Sequence, residues 1–354
     1  MPGQRRLTLI ALIVALLLSM RAVPGVALAG PGTQGIQGQL ALFGPPVQGL
    51  LDTNTPQASY FFHARAGQPI SLRAVALSGD LSLDLVLFGP DGDGLVRGVP
   101  ALSAPRTLII DAFIPPIDGT YSVTASALGG SSGQYEVRLL GGYAELAVLD
   151  DFSNRFDPLR LEWSPFVTVD VAADVVDGAL GIQVLNEGRL GCVEPDQWNA
   201  YSDLYIQADF TIEDTPGYHE YGFALRLARG TSAFYALIFS SEGDWALFYY
   251  DGVWHPVQDW TASPAIDASD RTPRIGVFVQ DSTFRVYFND REVGAITDNR
   301  PFALEGGIGL VAGTSPDEQG ILVAYVDNLA VTTPAASYGA MARADTAEVN
   351  PSAP

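Results

Sequence analysis

Hydrolysis of a glycosidic bond needs two carboxylates facing each other across a sugar at a fixed separation, and the chain offers 40 Asp and Glu residues from which to find such a pair. Spacing removes most of them. Glu242 and Asp244 are two apart, as residues on one strand face would be, but Gly243 between them marks a turn. Asp203 and Asp209 share a strand face six residues apart, roughly 20 Å at the usual strand rise. That is too far for a catalytic pair, and they read as ordinary solvent-facing acids. Gly129-Gly130-Ser131-Ser132-Gly133 spells a Gly-x-Ser-x-Gly string. A nucleophile elbow requires a strand before it and a helix after it; here a β-run follows, and a hairpin loop is expected. Cys192 is the single cysteine and the histidines are three, His63, His219 and His255. An inert, buried thiol is expected rather than a nucleophile.

Binding chemistry is better supplied. Sugars present apolar C–H faces that stack on aromatic rings and hydroxyls that seek planar polar groups, and Trp245, Tyr249, Tyr250, Trp254, Trp260 and Tyr287 supply rings. Strand alternation divides YGFALRLA (221–228) into a core face of Tyr221, Phe223, Leu225 and Leu227 and a small, flat face of Gly222, Ala224, Arg226 and Ala228. In FRVYFN (284–289), Arg285, Tyr287 and Asn289 stand opposite Phe284, Val286 and Phe288. Arg226, Tyr287 and Asn289 are therefore the candidate groove residues. The competing reading is packing alone, because aromatics enrich strands whether or not they bind anything.

The elements that must position these groups are all β. FYALIFSS (234–241), WALFYY (245–250) and VWHPV (253–257) are separated by Glu-Gly-Asp and Asp251-Gly252, and RIGVFVQ (274–280) reverses at Asp281-Ser282 into FRVYFN. Asp-Gly between two apolar runs is a hairpin signal, since the turn needs positive φ. Shorter alternating runs, SYFFHAR (59–65), PISLRAVAL (69–77), LSLDLVLFG (81–89), TYSVTAS (120–126) and QYEVRLL (134–140), fill the first half, punctuated by Gly and Pro. The fold class expected is all-β, two β-sandwich or jelly-roll domains after a signal peptide. Domain limits are placed at 30–142 and 144–333, with a disordered tail rich in Ala, Ser and Pro over 334–354.

Residues 1–29 read as that signal peptide, with Arg5 and Arg6, an apolar Leu7–Met20 core too short to span a bilayer, and Ala27-Leu28-Ala29 before Gly30. Export to the extracellular space or cell surface is expected (the periplasm where an outer membrane exists), without membrane insertion. The net charge of the chain is −21, and no lysine occurs. Nucleic acid and anionic lipid are thereby poor partners. Residues 144–333 carry 30 acids against 10 arginines, while 30–143 carry 8 against 5. The second half is the one that would attract cations. The loop Pro90-Asp91-Gly92-Asp93-Gly94 lacks a full calcium-loop pattern and reads as a turn.

Tyr60-Phe61-Phe62, Gly67, Leu83-Asp84, FGPDG (88–92), Pro115 to Tyr121 and Gly133-Gln134-Tyr135 occur in an order and spacing that resembles the bacterial pre-peptidase C-terminal domain. That resemblance implies a small accessory β-sandwich without catalysis. From LDDFSN (149–154) to VAYVDNLAV (323–331) the order of runs resembles the concanavalin A-like lectin/glucanase jelly rolls, in particular laminin-G-like and 3-keto-disaccharide-hydrolase-type domains. The laminarinase-type members carry Glu-x-Asp-x-x-Glu on one strand; Glu242-Gly243-Asp244-Trp245-Ala246-Leu247 lacks the last acid. The resemblance also implies a structural Ca2+ between the first and last strands, with Asp150 or Asp151 and Asp327 in the liganding positions. Asp327-Asn328 as a plain chain reversal is the alternative.

Together these readings lead to an exported, non-catalytic protein that contacts an extracellular carbohydrate or cell-surface polymer through the second jelly roll. A glycoside or keto-disaccharide hydrolase and a purely structural ectodomain are the alternatives. An open aromatic groove would favour binding, two carboxyl groups about 5–10 Å apart in it would favour hydrolysis, and a groove filled by its own side chains would favour the structural role.

Overall fold

The computed structural model describes residues 36–102, 104–153, 157–213, 217–299, 301–314 and 322–336. The signal peptide expected over 1–29, and the tail from 337 onward, lie outside the described residues. Among those described, every regular element is a strand.

Ten strands form the first sandwich: β1 (Ile36–Gln39), β2 (Val47–Leu51), β3 (Gln57–Ala64), β4 (Ile70–Ala76), β5 (Leu83–Phe88), β6 (Gly94–Arg97), β7 (Val99–Ala101), β8 (Ala104–Phe113), β9 (Gly119–Ala127) and β10 (Gly133–Gly141). They make two five-stranded sheets, ordered β1-β3-β9-β5-β6 and β2-β10-β4-β8-β7. Alternation decides which side chains meet between them: on β3, Ala58, Tyr60, Phe62 and Ala64 are buried while their neighbours are not. They join Leu72, Leu85, Tyr121, Val123, Tyr135 and Val137 in one core. The Gly129–Gly133 segment carries β9 of one sheet to β10 of the other, so it crosses between sheets rather than closing a hairpin.

The second sandwich uses β11 (Glu145–Asp150), β12 (Phe166–Val167), β13 (Val171–Val176), β14 (Ala179–Val184), β15 (Leu190–Val193), β16 (Leu204–Ile212), β17 (His219–Leu227), β18 (Phe234–Ser240), β19 (Asp244–Tyr250), β20 (Trp254–Ala262), β21 (Arg274–Gln280), β22 (Thr283–Phe288), β23 (Arg291–Thr297), β24 (Gly307–Thr314) and β25 (Leu322–Thr333). A nine-stranded sheet runs β12-β13-β14-β25-β16-β21-β22-β23, with β11 also paired to β25. The facing sheet has six strands, β15-β24-β17-β18-β19-β20. Both expected reversals join paired strands, β19 to β20 at Asp251-Gly252 and β21 to β22 at Asp281-Ser282, while the chain crosses from one sheet to the other between β20 and β21. Phe210, Phe223, Tyr235, Leu237, Phe239, Trp245, Val277, Phe284 and Val286 fill the space between the sheets.

The long β25 explains Asp327-Asn328. One edge of β25 pairs with β14 over residues 322–326 and with β11 over 329–333. Asn328 sits at the change of partner with φ 51°, a left-handed conformation that asparagine tolerates.

The two sandwiches share a dry junction. Tyr205, Phe278 and Tyr287 on the outward face of the nine-stranded sheet cluster with Tyr143, against Phe43 and Ala112 of the first sandwich. Gly142 is at φ 69°, and a Cβ there would lie 2.0 Å from the Tyr205 Cβ. The Thr332 hydroxyl accepts from the Tyr143 N–H and donates to the Gly141 carbonyl. Ala335, inside the expected tail, is buried and donates its N–H to Asp111, which also accepts from the Ala144 N–H. The Leu102 N–H donates to the Ala336 carbonyl at 2.8 Å. The tail expected from Pro334 is thus held against the first sandwich through Ala336.

Candidate functional site

Each sheet of the second sandwich has an outward face, and the expected groove residues do not share one. Arg226 belongs to β17 of the six-stranded sheet, and Tyr287 to β22 of the nine-stranded sheet. Tyr287 does stand opposite Phe284, Val286 and Phe288, but that face abuts the first sandwich. The ring is 1% exposed, packs edge-on to Tyr205 at 6.2 Å, and donates its hydroxyl to the Gly67 carbonyl at 3.0 Å. Asn289, at φ 49° beyond the strand, accepts from the Arg274 N–H (2.8 Å) and donates to Asp270 (2.7 Å). Its amide ties a turn together. Arg274 in turn forms an ion pair with Asp209 at 2.7 Å, so Asp209 is paired where a plain solvent-facing acid was expected.

Arg226 departs from the expected alternation because β17 is bulged. Leu225 pairs with Ile308 and Leu227 with Gly307, leaving Arg226 without a partner on β24 and at φ 52°. A bulge shifts the side-chain phase by one residue. Leu227 therefore turns outward, joining Ala224 and Ile238, and Arg226 turns inward. Its guanidinium is 1% exposed and donates to the carbonyls of Ala303 (3.0 Å), Ser202 (3.1 Å) and Asp281. It lies 5.4 Å from the Phe284 ring centroid. Burial lowers its pKa. It is a structural cation at the rim of the core, not a groove floor.

Asp150, Asp151 and Asp327, the acids expected at a calcium site, each accept hydrogen bonds from the protein's own donors. Asp150 is buried with its oxygens aimed at donors: the N–H groups of Phe152 (2.9 Å) and Leu161 (3.3 Å) and the Trp163 indole N–H (3.1 Å). The Arg160 guanidinium lies 3.5 Å from it, supplying a positive charge from the protein itself. Asp151 accepts from the N–H and hydroxyl of Ser153, and Asp327 from the Asn328 N–H. Among the described residues no three His, Cys, Asp or Glu side chains are grouped to hold a metal.

The outward face of the six-stranded sheet is different. A cavity of about 250 Å³ opens there, lined by Leu190, Glu220, Ile238, Phe248, Trp254, Trp260 and Thr314 among others. Register explains the lining. Gly222 pairs with Ile238 and with Val311, and Ala224 pairs with Ala236 and with Gly309, so the middle of the face is small. On β18 and β19, Phe234 and Tyr250 are directly opposed, and Trp254 packs on Tyr250 at 4.7 Å and Phe248 at 6.0 Å. Trp260 meets Phe248 at 6.1 Å and Tyr218 at 6.3 Å. Cys192 adds its side chain to the same apolar face, and burial pushes its thiol pKa up.

The rings expected to serve a groove are thereby sorted by alternation. Trp245 and Tyr249 point into the core, Tyr250, Trp254 and Trp260 to the open face, and Tyr287 to the junction. Trp254 is 43% exposed, a large apolar surface left in solvent.

One end of this face is polar. Glu220 lies opposite Ser240 across β17 and β18, and the Ser240 hydroxyl donates to Asp244. The Tyr218 hydroxyl donates to Glu220. Burial raises the Glu220 pKa, the Tyr218 bond opposes this, and the Asp244 charge adds to it. Glu220 and Asp244 stand two strands apart, about 10 Å between backbones at the usual strand spacing. Glu220 was missed by one residue: the alternation that makes Gly222 and Ala224 outward makes Glu220 outward too.

No protein-family model and no curated protein matches this chain. Solved structures similar to it include the carbohydrate binding module CBM66 from Bacillus subtilis, at 18% identity over 49% of this chain and 97% of that one, TM-score 0.39. The Bacillus licheniformis beta-glucanase aligns at 12% identity over 54% and 99%, TM-score 0.40. The pre-peptidase C-terminal domain of a collagenase from Bacillus anthracis aligns at 13% identity over 30% and 98%, TM-score 0.26. The chain is thus similar, over parts of its length and at low identity, to a pre-peptidase C-terminal domain and to glucanase-type β-sandwiches.

Proposed function

We propose that this is an exported, non-catalytic binding protein that holds an extracellular carbohydrate or cell-surface polymer on the outward face of its six-stranded sheet. The observation that carries this reading is the cleft walled by Phe248, Trp254 and Trp260 and ended by Glu220 and Thr314. Rings accept the apolar face of a sugar, while carboxylate and hydroxyl groups accept or donate to its hydroxyls. A screen of the full chain on a glycan array, beside the Trp254→Ala and Trp260→Ala variants, tests it. Specific binding that both variants lose is the expected result. No binding by a folded chain, or binding that both variants retain, would remove this reading.

A second reading rests on Glu220, which lines the end of the cleft, and on Asp244, bonded to the Ser240 that lies opposite it. Hydrolysis would use the carboxyl with the raised pKa as the acid and the other to activate water. Asp244 is already engaged by Ser240 and Glu220 by Tyr218, so binding is the reading adopted. Release of reducing ends from a neutral polysaccharide, abolished in Glu220→Gln, would reverse that choice.

A further inference from the structure

The hairpin that carries Trp254 to the cleft is weakly held by its own strand pairing. β20 is the last strand of its sheet, with no neighbour on its outer edge among the described residues. Its register against β19 slips twice, between Trp245 and Leu247 and between Leu247 and Phe248. Pro256, within it, offers no N–H to the ladder. Trp254 pairs with Tyr250, and the next pair, His255 with Tyr249, presents the opposite side of the strands.

Phe302 grips the hairpin from that opposite side. Its ring stacks on Tyr249 at 4.4 Å, with 10° between the planes, and on His255 at 5.1 Å, with 28°. It thus spans the cross-strand pair one residue from Trp254. Phe302 is in turn pinned to buried groups. Its N–H donates to the Tyr235 hydroxyl at 2.8 Å, which donates to Asp298 at 2.8 Å. The next carbonyl, that of Ala303, accepts from Arg226 at 3.0 Å. The Phe302 side chain is nonetheless 43% exposed, an apolar ring kept at the surface with the hairpin pair as its ring partners.

Resting on the carbohydrate reading above, we infer that Phe302 is a positioning residue for the cleft. Anchored through Tyr235 and Arg226, it fixes the β19–β20 hairpin so that the Trp254 ring stands in place before a sugar arrives. Phe302 does not line the cleft and touches no sugar itself. A ring already held in one pose loses less freedom on binding than a ring on a loose hairpin.

The test pairs amide exchange with binding, both on the full chain. In Phe302→Ala, exchange over 250–256 is expected to run about fivefold faster than in wild type, with the β21–β22 hairpin unchanged. Affinity for whichever of cello-, xylo-, manno- and laminarihexaose the wild type binds is expected to fall roughly fivefold, the scale of one aromatic pair. Phe302→Tyr, which keeps a ring to stack, should restore both. In a Trp254→Ala background Phe302→Ala should cost no further affinity, because the ring it positions is gone. Additive losses, or equal losses in Leu304→Ala at a neighbour that is 61% exposed, would overturn the role. So would unchanged exchange or unchanged affinity in Phe302→Ala, and either would leave the cleft reading in place. A folded wild type that binds none of the four removes the carbohydrate reading and this role together.

Discussion

The two outward faces of the second sandwich are both aromatic, and they have opposite fates. Tyr205, Phe278 and Tyr287 on the nine-stranded sheet are sealed by the first sandwich. Phe248, Trp254 and Trp260 on the six-stranded sheet border an open cleft. Strand by strand the two patterns look alike, since both place rings opposite a packed core. What distinguishes them is what covers each face. At the junction, glycine at 141 and 142 lets the first sandwich's backbone approach the Tyr205 ring. Over the cleft the structure shows no such partner among the described residues. Outward aromatics mark a surface with a use, and only the covering element tells cohesion from recognition.

Substitutions at matched positions sharpen that contrast. Tyr287→Ala removes a fully buried ring and its bond to Gly67, and should cost about 3–5 kcal/mol of stability, read from urea unfolding, with oligosaccharide affinity intact. A loss of affinity with intact stability would place Tyr287 in recognition after all. Gly142→Ala adds a methyl against Tyr205 at positive φ, and about 2–3 kcal/mol is expected from crowding and strain together. An unchanged unfolding midpoint would show that the junction is loose. Trp254→Ala should do the reverse of Tyr287→Ala. Stability should change by under about 1 kcal/mol, since the ring is part exposed, while sugar affinity falls about tenfold, a loss of about 1.4 kcal/mol.

The smallest effect concerns pH. Burial raises the Glu220 pKa, so the folded chain holds that proton more tightly than the unfolded chain does. Its contribution to stability is therefore lost as pH rises from the unfolded value near about 4.3 through the raised folded value. Glu220→Gln should remove that part of the slope. The gap in melting temperature between variant and wild type should widen with pH across that window and then level off. A gap constant from about pH 4 to 8 would show that Glu220 titrates alike in both states.

Much of the architecture was legible in the chain. Turn residues such as Asp251-Gly252 and the alternation of Tyr60, Phe62 and Ala64 are local signals, and the strands follow them. The site was less legible, for two physical reasons. One extra residue at Arg226 inverts the phase of the strand beyond it, and nothing in YGFALRLA announces the bulge. Tyr287 was placed on the right side of its strand, but whether that side meets water depends on Gly141 and Gly142, distant in sequence. The cleft did leave a trace. β20 is a half-exposed, polar strand, WHPVQDWTA, that nonetheless carries two tryptophans. Large rings on a strand with little core to fill are the signal that separates them from Trp245.

The chain enters the second sandwich at Tyr143 and leaves it at Thr332, and these two residues are hydrogen bonded to each other. Just beyond, Ala335 and Ala336 are bonded back to Asp111 and Leu102. A pull applied at Ala336 would first be borne by that clasp on the first sandwich rather than by the register of β25. The register of β25 and the sheets it joins are thereby shielded from a load applied at that point until the clasp itself gives way.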